Sequence, residues 1–369
     1  MSSVPIRSIT PHFKRISAKT VWSFVRVEST DGHIGWGEAT INGQAAAIAE
    51  EVRRQGTALA GSSIAVGPRL NPLATGKLGW AVVSAIDQGL WDIAAMRENL
   101  PLAKQLGSTA SETVLLYANI NRGTTDRSPA GFAASAAAAL AAGVLAIKIA
   151  PFDDLTPELA DCAQGSALIR AGLDRIGAIL DVLGSKARLM VDCHWRFTES
   201  TAASTLREAA RMGIVWFECP LPETVGNILA VRRLRSIANA VGVRLAGLEE
   251  CSLLESFLPW AEAYDVMMPD VKYAGGLAET LRIAEALQKR GVGFSLHNPT
   301  GSVCHAVSLH VSAVCSTGYP LEMQWDETDQ LFDLPDVALP RPRAGRSALP
   351  VGAGHGAVLS LGAVSDAPS

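Results

Sequence analysis

The sequence predicts an α/β protein in which a β/α barrel follows a smaller α+β domain. The first observation is an alternation of short apolar strands and helical stretches from Val114 onward, with strands beginning near 114, 146, 188, 214, 244, 265, 293 and 321. Eight strands at such intervals suit a closed parallel barrel with helices outside. The second is a different pattern before Val114. There V-W-S-F-V-R-V-E (21–28), the turn S-T-D-G-H and the strand I-G-W-G-E read as a β-hairpin. The third is size: 369 residues, 48% of them hydrophobic, can bury a barrel core and a second, smaller one.

Each element follows from local chemistry. Residues 80–97 carry apolar side chains on more than one helical face, as a buried helix does. The Ala-rich run Phe132–Ala142 reads as a crossover helix, because Ala is the best helix former and Gly143 supplies a stop. After Pro335 the chain turns Pro-, Gly- and Arg-rich. The expected division is 1–113 for the α+β domain, 114–335 for the barrel, and 336–369 for a segment that folds back on the first domain.

Composition narrows the function. Net charge is −4 and Lys and Arg nowhere cluster, so neither nucleic acid nor an anionic membrane surface is an expected partner. A small molecule is. The start M-S-S-V-P-I-R-S lacks the apolar core of a signal peptide and no stretch is apolar enough to span a bilayer, so a cytoplasmic location is expected. The six cysteines, at 162, 193, 219, 251, 304 and 315, show no C-x-x-C spacing and read as free buried thiols.

In a β/α barrel the chemistry sits where strands end, so the polar residue closing each strand is the informative one. Three strands close on acids: Asp192 in R-L-M-V-D-C-H, Glu218 in I-V-W-F-E-C-P and Glu249 in R-L-A-G-L-E-E. One such acid alone is more often a helix cap or a solvated loop residue. Three at corresponding strand ends need a partner, because buried carboxylates are costly without a cation. All-oxygen ligation suits Mg²⁺, with Mn²⁺ as an alternative. The other strand ends offer Lys148, His194, Asp270 with Lys272, His297 with Asn298, and Glu322. His194 follows Asp192 by two and is expected on the same strand face. His305 and His310 fall in a helical stretch and read as core residues. Cys193 and Cys219 read as small packing residues.

The order and placement of these pieces resemble the enolase superfamily, in its mandelate racemase subgroup. The matching segments are S-A-I-D-Q-G-L-W-D (84–92), G-V-L-A-I-K-I-A (143–150), the three acids, P-D-V-K-Y-A-G-G (269–276), H-N-P-T-G (297–301) and Leu321-Glu322. The resemblance implies a (β/α)7β modified TIM barrel with an N-terminal α+β capping domain. It also implies Mg²⁺ on Asp192, Glu218 and Glu249, chelating a substrate carboxylate. Glu249 fits the family's spacing better than Glu250. Asp270 and His297 match an Asp–His dyad, and Glu322 falls where a protonated acid would donate to the substrate carboxylate. The family often carries Lys-x-Lys on the second strand, whereas this chain has Lys148-Ile149-Ala150, so Lys148 takes an electrostatic role and the second-lysine base is absent.

An Asp-x-His on strand three together with the dyad is similar to the sugar-acid dehydratases of that subgroup. The expected activity is α-proton abstraction followed by loss of water to give a 2-keto acid; racemisation or epimerisation at the same carbon is the alternative, and a non-catalytic metal- and acid-binding homologue a third. Loops near 12–20 and 40–44 are expected to close the barrel mouth, with His12, Lys14, Arg15 and Lys19 as candidate substrate contacts. Barrels of this kind associate, so a homo-oligomer is expected.

Overall fold

The computed structural model describes residues 3–107, 110–315 and 318–368. The N-terminal part is an antiparallel sheet of β1 (Ser3–Arg15), β2 (Val21–Ser29), β3 (Ile34–Glu38) and β4 (Ser63–Ala65), in the order β3-β2-β1-β4. The expected hairpin is β2–β3, turned at Gly32 with φ +89°. Helix Gly76–Arg97 lies against β3. Two glycines permit the approach: a Cβ on Gly35 would fall 2.1 Å from the carbonyl oxygen of Gly89, and one on Gly37 would fall 1.8 Å from that of Ala85.

The barrel is built from β5 (Thr113–Asn119), β6 (Ala146–Ile149), β7 (Arg188–Asp192), β8 (Trp216–Glu218), β9 (Arg244–Gly247), β10 (Val266–Met267), β11 (Gly293–Phe294) and β12 (Leu321–Gln324). Neighbours pair in parallel along β12-β5-β6-β7-β8-β9-β10-β11. The Glu322 N–H donates to the Leu296 carbonyl across the remaining seam, at 3.3 Å. Seven β–α crossings and a final strand make a (β/α)7β barrel, the capped modified TIM barrel expected. The Ala-rich run is the helix Pro129–Ala141, with Pro129 in its first turn and the Ser128 hydroxyl accepting from Gly131 N–H at 3.1 Å. Between β9 and β10 the crossover shrinks to the short turns Leu254–Phe257 and Leu258–Trp260.

Period-two alternation divides the barrel lumen into layers. Outward-facing Ile147, Leu189, Val191, Phe217 and Leu245 are buried in the main apolar core, while Tyr117, Met190, Trp216, Ala246 and Val266 form a separate buried cluster. Two residues further along the same strands stand Asn119, Asp192 and Glu218. The polar layer therefore rests on an apolar floor.

The motif at 84–92 docks the two bodies together. Ser84 Oγ accepts from Gly275 N–H, Asp87 from Leu277 N–H at 2.6 Å, and Gln88 donates to the Val271 carbonyl while accepting from Glu38 N–H. Buried Glu38 reaches back, accepting from Gly301 and Cys304 N–H at 2.7 and 2.9 Å, which caps the helix Ser302–Val314 that follows β11. The C-terminal segment touches both bodies. Its strand β13 (Arg346–Ala348) pairs antiparallel with β5, His355 lies 3.1 Å from Asp92 in helix Gly76–Arg97, and Ser365 bridges to Phe13 in β1. No described helix is long and apolar enough to cross a membrane.

Burial pushes the Asp87 carboxyl up to about 7, against the Leu277 N–H that favours its anion. From its ordinary value to about 7 the folded chain keeps a proton that the unfolded chain has released, so stability falls as pH rises through that window. Asp87→Asn retains the acceptor and removes the proton linkage. Melting curves between pH 4.5 and 8 should show the variant gaining on the native protein as pH rises, by on the order of 3 kcal/mol at the upper end; parallel pH profiles would refute the assignment.

Candidate active site

At the C-terminal end of the barrel, adjacent strands deliver complementary groups in register. Asp192 lies beside Glu218, Lys148 beside Asn119, and Glu322 enters from β12, paired with β5. Lys148 Nζ is the hub, 2.5 Å from Glu218 Oε1, 3.0 Å from Glu322 Oε1 and 3.9 Å from Asp192 Oδ2, and every member is buried. Burial alone would depress the Lys148 ammonium, but Glu218 and Glu322 outweigh it and raise its pKa well above the ordinary value. Burial and the neighbouring Asp192 and Glu322 charges push Glu218 up to about 7 despite Lys148.

Glu322 departs from the sequence expectation. Burial favours its neutral form, yet Lys148 and His297 outweigh it and hold its pKa below the usual range. Asn119 Nδ2 donates to it at 2.7 Å and Asn298 N–H at 3.0 Å. Held among these donors, Glu322 is an acceptor rather than the protonated donor expected.

The remaining candidates stand beyond their strand ends, on turns. β7 stops at Asp192, so strand alternation does not aim His194; consecutive left-handed residues, His194 at φ +46° and Trp195 at φ +58°, do. His194 Nε2 reaches Asp192 Oδ2 at 2.8 Å, and this carboxylate raises the imidazole pKa against burial. Burial would raise Asp192, but His194 and Lys148 prevail and lower it. His297 Nδ1 meets Asp270 Oδ2 at 2.9 Å, and Lys272 Nζ meets the same oxygen at 3.1 Å. His297 Nε2 is 3.5 Å from Glu249 Oε2 and 3.9 Å from Glu322 Oε2.

Geometry separates the two glutamates after β9. Leu248, at φ +72°, turns the chain while Glu223 accepts its N–H at 2.7 Å, leaving Glu249 buried and Glu250 paired with Lys77 of the first body at 2.5 Å. Glu249 Oε2 is buried without a hydrogen-bond donor, and burial and the Asp192 charge push its pKa well up. Such an orphaned carboxylate oxygen fits a cation. Asp192, Glu218 and Cys219 offer ligand atoms within 4.8 Å of one another; Glu249 lies outside that tight group. Three buried carboxylates make the donor set predominantly oxygen, with the buried Cys219 thiol beside it. Asp192, Glu218 and Glu249 thus suit a hard divalent ion.

Lys148, Asp192, His194, Glu249, Lys272 and His297 line one cavity of about 400 Å³. Thr40, Ile41, Asn42 and Gln44 of the first body line it too. Of the four basic candidates near residues 12–20, only Lys19 borders the cleft, in the adjoining compartment. His12 lies within β1, buried beside Asp366, which removes it from any substrate. His305 and His310 are buried and pushed down to about 4, neutral core groups as expected. Sequence reasoning missed Asn119, although it closes the first barrel strand and the strand-end rule would have found it. It also missed Arg122, whose loop position carries no local signal.

A barrel whose mouth gathers buried acids, three lysines and two histidines in one cavity carries the groups that metal-assisted acid–base chemistry needs. Comparison with known proteins makes this specific. Residues 131–363 match the enolase C-terminal domain-like family and residues 6–107 the mandelate racemase / muconate lactonizing enzyme N-terminal domain. The chain is 27% identical to a D-gluconate dehydratase of Thermoproteus tenax over 82% of its own length and 61% of that protein's. It thus spans less than two thirds of that relative. It is 26% identical to a D-galactonate dehydratase of Klebsiella pneumoniae (strain 342), over 79% of this chain and 75% of that one. An enolase superfamily member from Salmonella Typhimurium superposes with TM-score 0.84 at 21% identity, over 100% and 99% of the two chains. A mandelate racemase/muconate lactonizing enzyme from Jannaschia sp. CCS1 does so with 0.83 at 20% identity, over 98% and 96%. The chain belongs to the enolase superfamily, in the mandelate racemase / muconate lactonizing enzyme group, whose members use a divalent metal.

The two glutamates should separate in stability as well as geometry. In metal-free buffer above neutral pH Glu249→Gln is expected to raise the melting temperature, because the folded chain must otherwise either bury this carboxylate among like charges or take up the proton that neutralises it. Glu250→Gln should change stability by less than about 1 kcal/mol, as a partly exposed ion pair does. Scanning calorimetry with chelator present reads both, and a destabilised Glu249→Gln protein would contradict the placement.

Proposed function

We propose that the chain is a Mg²⁺-dependent dehydratase that converts a sugar acid, or a similar hydroxycarboxylate, to a 2-keto acid. The observation that carries this reading is that two histidines from different turns, His297 and His194, open on the same cavity as the acid cluster and Lys148. Removing the proton α to a carboxylate and expelling a β-hydroxyl needs one group to take a proton and another to give one.

Asp192, Glu218 and Glu249 would hold the metal, which supplies positive charge to a substrate carboxylate as it becomes an enediolate. The chain's own residues do the rest. Asp270, braced by Lys272, receives Nδ1–H of His297 and leaves Nε2 to face the cavity as base. The α C–H bond breaks and its electron pair enters the enediolate. Lys148 lies against the acids that flank that charge, and Glu322 with Asn119 fixes its ammonium. The enediolate electrons then form the C=C bond as the β C–O bond breaks, and His194 protonates the departing oxygen to give water. The resulting enol tautomerises to the 2-keto acid. The relatives named as D-gluconate and D-galactonate dehydratases support this substrate class.

The test is 2-keto-acid formation from a panel of sugar acids with Mg²⁺. Chelation should abolish it and Mn²⁺ should restore it in part. His297→Asn should lower kcat by roughly 100-fold or more, the range of a lost general base. α-Deuterium uptake in D₂O without keto product would instead establish epimerisation at that carbon.

A further inference from the structure

The catalytic cavity does not end at His194. Asn42, Asn121, Arg122 and His194 line both it and a second compartment of about 730 Å³. Ala150 lies on the wall of that compartment. Four cationic side chains, Lys19, Arg122, Arg127 and Arg196, face two carboxylates, Asp153 and Glu327, across the second compartment.

Both carboxylates are already satisfied. Arg127 binds Asp153 through two N–H groups at 2.7 and 2.8 Å, and Glu327 takes the Thr20 hydroxyl at 2.6 Å and Arg122 at 3.3 Å. Among the described residues Lys19 and Arg196 form no ion pair within 4 Å, and the Arg196 side chain donates from Nη1 to the Leu155 carbonyl at 2.9 Å. The compartment thus keeps two positive charges in excess, one from the 16–20 loop and one from the turn after β7. A guanidinium with donors to spare is suited to a carboxylate or phosphate.

We propose that this compartment is a subsite for an anionic group at the far end of the substrate, so that the enzyme acts on an acid sugar charged at both ends. The proposal rests on the dehydratase reading for what happens at the near end. Arg196 acts on Asp153 only at longer range than Arg127 and Arg175, which bind it directly, so a substrate with one carboxylate would leave Lys19 and Arg196 without a close anionic partner. A dicarboxylate or an ω-phosphorylated monoacid supplies one.

The experiment is calorimetric titration of the Mg²⁺-loaded His297→Asn protein, in which turnover does not consume the ligand, with gluconate, the matched diacid glucarate, and 6-phosphogluconate, together with the galacto pair. At least one doubly charged ligand should bind about tenfold or more tighter than its monoacid. Which of the two does so tells carboxylate from phosphate. Lys19→Gln/Arg196→Gln should erase most of that preference and leave monoacid affinity within about threefold; Lys19→Gln alone, on an exposed loop, should erase part of it. Equal affinity for all ligands, a preference that survives the double variant, or no binding by any doubly charged acid would overturn the subsite. Native-enzyme turnover keeps the two readings apart. Diacid preference without keto product sinks the dehydratase and spares the subsite, while keto product from monoacids without diacid preference does the reverse.

Discussion

Everything at the barrel mouth depends on the burial of carboxylates around a single lysine. Asp192, Glu218, Glu249 and Glu322 are desolvated together, and Lys148 directly contacts two of them. Carboxylates crowded out of water repel one another, and the imbalance appears as the raised pKa values of Glu218 and Glu249. Such a cluster stores electrostatic free energy that a divalent ion would release. The apolar floor of Tyr117, Met190 and Trp216 adds to the effect by keeping water from below, and Trp216 also donates its indole N–H to Glu218 at 2.7 Å.

The first body is docked by the same kind of chemistry. Glu38 and Asp87 are buried acids that cap the helices following the seventh and sixth barrel strands, and those strands lead into the turns carrying His297 and Asp270. The covering domain and the dyad are therefore mechanically linked. A shift of the cover would loosen the helix Ser302–Val314 and, with it, the turn that positions His297.

The absence of a second lysine at position 150 gains a physical meaning from the cavity. A long cationic side chain there would project from the wall of the second compartment; alanine leaves that volume free. Proton transfer falls, in the proposed mechanism, to the turn-borne histidines.

The sequence by itself determined the barrel, its capping domain and the strand-borne members of the site. Strand alternation is a local property with period two, so Lys148, Asp192, Glu218 and Glu322 could be placed at strand ends from their neighbours alone. The orienting turns could not. That Glu249 points inward and Glu250 toward Lys77 depends on Leu248 at φ +72° and on Glu223, far away in sequence. His194 enters the cavity through two left-handed residues that no alternation rule anticipates. The ionised state of Glu322 depends on Lys148, His297, Asn119 and Asn298, four groups from three other strand ends. His12, plausible as a surface contact in the sequence, is sealed by Asp366 from the opposite terminus. Tertiary structure decided these points because turn conformation and desolvation are set by groups that meet only when the barrel closes.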